Sequence, residues 1–209
     1  MQVRPLTPDG VVGHLVDVVG RRPEARLRVV VDGHPSTHPE ELADALVDPL
    51  RAIGRSVVRV HATDFLRPAS VRLEYGRHDP DGYYDQVDVG ALAREVVDPW
   101  GPGGTGRYLP SLWDARLDRA TRVPYAAAPA GGVLLIDGAM LLGRWLDLDL
   151  TVHLALRADT RARRTPPDEE WTLPAYARYT DEVAPEETAD VVLRVDDARR
   201  PGLVLDRRS

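Results

Sequence analysis

Apolar and polar positions along this chain follow two alternating periods. Short runs of branched aliphatics at Leu27–Asp32, Ser56–Ala62, Val133–Asp137, Leu150–Leu156 and Asp190–Val195 predict buried strands. Helix-period stretches fall between them. Residues 7–20 predict a helix with Thr7 as cap and Pro8 in its first turn. Residues 39–53 predict another, with Leu42, Leu46 and Leu50 on one face and a kink at Pro49. Further helices are expected over 88–97, from Gly138 to about 146, and over 174–182. Strands alternating with helices predict an α/β domain whose mostly parallel five-stranded sheet is covered on both sides.

Two segments interrupt the alternation. Residues 63–130 are dense in proline and glycine and read as a loop-rich insert, a length that usually carries function. Residues 157–187 are polar and rich in Arg, Pro and Glu around one short helix. Residues 1–24 form an N-terminal helical extension, and the whole of 1–209 is expected to be a single domain.

Composition narrows the classes of function. Net charge is −6, which argues against nucleic acid, since tracking phosphates needs a basic face. No apolar run reaches the roughly 18 residues of a membrane span. No signal peptide is evident, so the cytoplasm is the expected location. With no cysteine, disulfides and thiolate chemistry are excluded. All 27 basic residues are arginine. The absence of lysine excludes Schiff-base chemistry.

The most telling stretch is VDGHPSTHPE at 31–40, between a strand and a helix. A nucleotide-binding loop in that place reads G-x-x-x-x-G-K-[ST]. On that template Gly33 keeps the first glycine, but His38 takes the second, Pro39 the lysine and Glu40 the Mg²⁺-binding hydroxyl. Proline also deletes a main-chain donor, and a carboxylate there repels a triphosphate. Thr37 followed three residues later by Glu40 also matches a capping box, the start of an ordinary helix.

Four separated segments, RLRVVVDG, VVRVHATDFLRP, HDPDGYYDQVDVGALAREVVDPWGPGG and VLLIDGAMLL, together resemble the uridine kinase family and the wider nucleoside and pantothenate kinase branch of P-loop proteins. The tail at 173–201 is also similar. The resemblance implies a P-loop kinase-type three-layer sandwich and a phosphotransfer site. It places a base aspartate after the second strand, where Thr63 stands and Asp64 follows. It places an acceptor pocket at Tyr83, Tyr84 and Asp85, with Arg116, and a strand-end aspartate at Asp137; His61, at the end of the second strand, and Arg67 beyond it are further substrate-binding candidates. The family's phosphate-closing lid is shortened here, retaining Arg161, Arg163 and Arg164 before Pro166-Pro167.

In an open parallel sheet, ligands bind beyond the carboxyl ends of the strands. His34, His38, Glu40, Asp64 and Asp137 all map there and are the acid/base candidates. The H-x₃-H spacing of His34 and His38 is too weak to assign a metal. The leading expectation is a kinase-fold protein that has lost ATP-dependent phosphotransfer. It would use the acceptor pocket for lyase, isomerase or cyclase chemistry on a small molecule of the kind found in secondary metabolism. No cofactor is then expected. ATP and Mg²⁺ enter only if the chain is a divergent nucleoside-type kinase. A non-catalytic pseudokinase that binds or scaffolds is the third reading, and a homo-oligomer is left open.

Overall fold

A computed structural model describes residues 2–205. Its sheet has seven strands: β1 (Gln2–Pro5), β2 (Leu27–Gly33), β3 (Val57–His61), β4 (Val133–Gly138), β5 (Leu150–Ala155), β6 (Val191–Arg194) and β7 (Gly202–Leu205). Their order is β1-β7-β6-β5-β2-β4-β3. The five strands expected from the aliphatic runs form its parallel part. The expected count of five is corrected to seven, because β7 pairs antiparallel with β6 and β1 antiparallel with β7.

Alternation along each strand divides the core in two. Val29, Val31, Val133 and Leu135 face α1 (Pro8–Gly20), α2 (Pro39–Ala45) and α3 (Val47–Ala52), meeting Val11, Leu15, Ala43, Leu46 and Leu50. Val30, Leu134 and Ile136 face the other layer, meeting Phe65 and Trp100 of the insert and Tyr176 and Tyr179 further on. The period of two in a strand produces this split. Three α-helices follow β5: α4 (Ala158–Arg164), α5 (Leu173–Val183) and α6 (Pro185–Thr188), with a 3₁₀ turn Pro167–Thr172 between the first two.

Local expectations fare unevenly. Thr7 caps α1, its side chain accepting from the Gly10 amide at 3.1 Å. The 39–53 helix breaks at Leu46, ahead of Pro49, into α2 and α3. The 88–97 helix begins as Val89–Leu92 and widens into a π turn over Ala93–Val97.

Two expectations are corrected. No helix follows β4: residues 139–146 are turns, with Met140, Gly143 and Trp145 at φ 58°, 68° and 61°. Their amides serve side chains instead, Leu141 N–H donating to Asp32 and Leu142 N–H to the Tyr179 hydroxyl. Nor does Thr37 cap α2. Thr37 lies in a 3₁₀ turn, Pro35–Thr37, and its hydroxyl donates to the His34 carbonyl at 2.7 Å. The capping position falls to His38, which has no side-chain cap bond.

Candidate active site at the carboxyl edge of the sheet

The loop after β2 folds back on itself. Ser36 N–H donates to His34 Nδ1 at 3.2 Å, Thr37 N–H to the His34 carbonyl at 2.8 Å, and His38 N–H to the Pro35 carbonyl at 3.0 Å. Positions 35 and 39 are proline and have no N–H to offer. Gly33 is required by the tight turn, since an added Cβ would lie 2.5 Å from Thr37 Oγ1 and 2.9 Å from Leu154 Cβ. His38 takes a left-handed conformation, φ 53° and ψ 58°, at the place where the template carries its second glycine.

His34 is buried within this turn. Its Nδ1 faces Ser36 and its Nε2 lies 3.3 Å from the Thr165 hydroxyl, which donates to the Arg161 carbonyl. Burial, reinforced by the nearby Arg161 cation, pushes the His34 pKa down to about 4. His34 is therefore neutral near pH 7, with both ring nitrogens occupied. His38 and Glu40 stand apart on the outer side, 3.2 Å from each other. With Glu41 they bring three ligand-type atoms within 4.8 Å, at an exposed place.

Strand register builds two histidine–aspartate pairs at one level of the sheet. His61 on β3 is in register with Asp137 on β4, and Asp32 on β2 with His153 on β5. The pairs face opposite layers. Asp137 meets His61 Nδ1 at 2.9 Å and Arg59 at 2.6 Å, and Arg59 in turn meets Asp44 of α2. Hydrogen bonding to Asp137 raises the His61 pKa against the effect of burial. Asp64 lies close enough to feel both, and burial raises its pKa above the usual carboxylate range. Thr63 is exposed.

Asp32, fully buried, faces the α5 layer. It accepts from His153 Nδ1 at 2.7 Å, from the Tyr179 hydroxyl at 3.1 Å and from the Leu141 amide at 2.8 Å. This pair lines the larger cavity, about 730 Å³, between the ends of β2 and β5 and the helices α4, α5 and α6. His34, Arg161 and Tyr176 also line it. A smaller cavity of about 300 Å³ runs between α1 and α2 past His38.

The other candidates are placed as follows. Tyr83 is half-buried, its hydroxyl 3.0 Å from that of Tyr176 and its ring 5.5 Å edge-on from Trp171. Tyr84 is a packing residue, held between Arg144 at 4.1 Å and Arg178 at 4.2 Å. Asp85 pairs with Arg144 at 2.8 Å. Arg67 and Arg116 are exposed, Arg116 on the hairpin Trp113–Asp114/Arg119–Ala120. Arg163 bonds to Thr160, and Arg164 to the carbonyls of Val195 and Asp196. Of the three arginines expected in a shortened lid, Arg161 is the one that lines the cavity. The acid/base candidates are thus dispersed: Asp64 and Asp137 gather with His61 at β3 and β4, His34 lies at the cavity, and His38 and Glu40 lie outside it. Asp32 and His153 were not singled out by their residue pattern. The sequence signal was a carboxylate and an imidazole inside two strands made mostly of aliphatic residues.

The sheet order, the strand-to-helix loop after β2 and the helical segment after β5 define a P-loop kinase-type α/β fold. Many solved structures resemble it, three of which follow. A possible uridine kinase from Bacillus stearothermophilus superposes with a TM-score of 0.70 at 22% identity, covering 87% of this chain and 96% of its own. A protein named for a fructose transport system kinase, from Silicibacter sp. TM1040, gives 0.57 at 18% identity, over 88% and 90%. YGR205w protein gives 0.58 at 10% identity, over 94% and 99%. No family model matches the chain, and no curated protein matches it by sequence. Among the described residues, no helix is long and apolar enough to cross a membrane.

Proposed function

We propose that this chain is a small-molecule enzyme on the P-loop kinase fold that works without ATP-dependent phosphotransfer. It would carry out acid/base chemistry of lyase, isomerase or cyclase type at the carboxyl edge of the sheet. The observation that carries this reading is the hydrogen bonding of the loop at 33–40. A phosphate cradle needs main-chain donors turned toward the ligand. Here the amides of Ser36, Thr37 and His38 are spent within the turn, and two further positions are proline. No lysine elsewhere in the chain can replace the one the template requires. Two histidine–aspartate pairs at the same edge supply groups suited to proton transfer.

Calorimetric titration with ATP and Mg²⁺, alongside a search for phosphorylated product with nucleosides and sugars, tests the reading. The expected result is no binding tighter than millimolar and no product. Micromolar binding with a phosphorylated product would establish the second reading, a divergent kinase. One observation favours that alternative: His38 takes a left-handed backbone, the conformation glycine adopts most readily, at the position where the template carries its second glycine.

A further inference from the structure

The cavity between β5, α4 and α5 holds two groups whose bonding capacity the protein leaves unused. The first is His153. Its Nδ1 faces the Asp32 carboxylate at 2.7 Å, which fixes the proton on that nitrogen and leaves Nε2 with a lone pair. Among the described residues nothing bonds to Nε2, and the ring lines the cavity. His34, in the same wall, differs: both its nitrogens have partners. Asp32 has three donors already, so it orients His153 rather than touching a ligand.

The second group is Arg161. Its guanidinium is half-buried, lies over the Tyr176 ring at 5.7 Å and lines the same cavity. Among the described residues it has no carboxylate partner, although most buried charges are paired. Arg157 on the same wall leans to Asp196 at 3.6 Å. Glu186 on the α6 wall is held by Arg194 at 3.0 Å. Glu187 also lines the cavity, which favours a ligand with donor groups in addition to an anionic one.

We infer that this cavity takes a small molecule bearing an oxyanion group, a carboxylate or a phosphate, seated against Arg161, and that His153 exchanges a proton with it. In that step Nε2 takes a proton from a C–H or O–H of the ligand, and the imidazolium that forms is stabilised by Asp32. The same proton then returns to the product, so both residues end as they began. The inference deepens the reading above and rests on it only for the acid/base chemistry; anion binding at Arg161 stands whether or not ATP binds.

The test is nitrogen NMR on the full chain labelled at histidine, titrated separately with inorganic phosphate and with succinate. His153 is expected as the Nδ1–H tautomer. At least one probe should shift its Nε2 resonance saturably while leaving His14 and His78 in place. Arg161→Gln should weaken that probe by about tenfold or more, whereas Arg161→Lys and the exposed Arg107→Gln should bind it within a few-fold of the parent. Which probe wins distinguishes carboxylate from phosphate. An Nε2–H tautomer, an equal response in Arg161→Gln, or no response to either probe at tens of millimolar would overturn the inference. Displacement of the probe by Mg²⁺–ATP would support the Arg161 site and defeat the ATP-independent reading, so the two fail separately.

Discussion

Strand β2 carries a buried charge at each end, Arg28 and Asp32, and the fold treats them differently. Arg28 lies at the amino edge. Its guanidinium donates to Asp149 at 2.9 and 2.7 Å and to Asp147 at 2.8 Å, while its own amide donates to Asp149 at 2.8 Å. Charge and donors there are matched within the protein. Asp32, at the carboxyl edge, is also saturated, but among the described residues nothing bonds to Nε2 of its partner His153, which lines a cavity, and Arg161 on that cavity has no counter-charge. A closed ion cluster does nothing but hold the strand. A cluster with capacity left over is where chemistry is expected.

The sharpest way to break the closed end is Arg28→Ala. It leaves the half-buried Asp149 without its cation, and breaking such a pair costs about 3 kcal/mol, read as a lower midpoint in urea unfolding. Burial alone would raise the Asp149 pKa, but the hydrogen bonds from Arg28 outweigh it and lower it. A depressed carboxylate contributes stability that is present above its unfolded value and lost as pH falls through the folded one. Without Arg28 the burial that raises it is no longer outweighed by those bonds, so the stability lost in Arg28→Ala should be largest near neutral pH and shrink as pH falls through the acid range.

At the open end, Asp32→Asn should cost about 2 kcal/mol, the range for losing hydrogen bonds to a charged acceptor. Its amide would donate to His153 Nδ1, drive the proton to Nε2 and abolish the lone pair. The expected outcome is a folded protein whose His153 nitrogen spectrum shows the opposite tautomer. A spectrum unchanged from the parent would erase the distinction between the two ends.

These two ends were not equally visible in the sequence. The five parallel strands were legible because each is a short run rich in branched aliphatics. Strand β1 was not, since all four of its residues are exposed and show no alternation. The 138–146 stretch looks helical in its apolar spacing, yet Asp32, from a position 109 residues away, takes the Leu141 amide. His61 and Asp137 could be named because motifs frame them. Asp32 and His153 could not, because register across 121 residues is what joins them. Arg161 stood among three lid arginines, and only packing shows that Arg164 is tied to backbone carbonyls while Arg161 faces the cavity.

A smaller effect bears on the loop beside Asp32. A left-handed residue with a side chain costs about 1 kcal/mol, so His38→Gly should stabilise the protein by up to about that much. Urea unfolding measures it, and a loss instead would mean that the contacts of His38 with Glu40 and Glu41 outweigh the strain.

A pH-dependent effect separates two histidines at the carboxyl edge by sign. The folded-state pKa of His34, about 4, lies below its unfolded 6.5, so as pH falls through that window the unfolded chain takes up the proton first. Stability is therefore lost between pH 6.5 and 4, and His34→Gln should flatten that part of the curve. His61 is the reverse: bonded to Asp137, its pKa is raised above the unfolded value. Its contribution is full below the unfolded pKa and lost as pH rises through the folded one. His61→Gln should therefore weaken the protein in mild acid and leave alkaline stability alone. Unfolding midpoints measured across this pH range in both variants check the pair. Slopes of the same sign would show that the closed turn around His34 and the ion pair at His61 do not differ as their surroundings require.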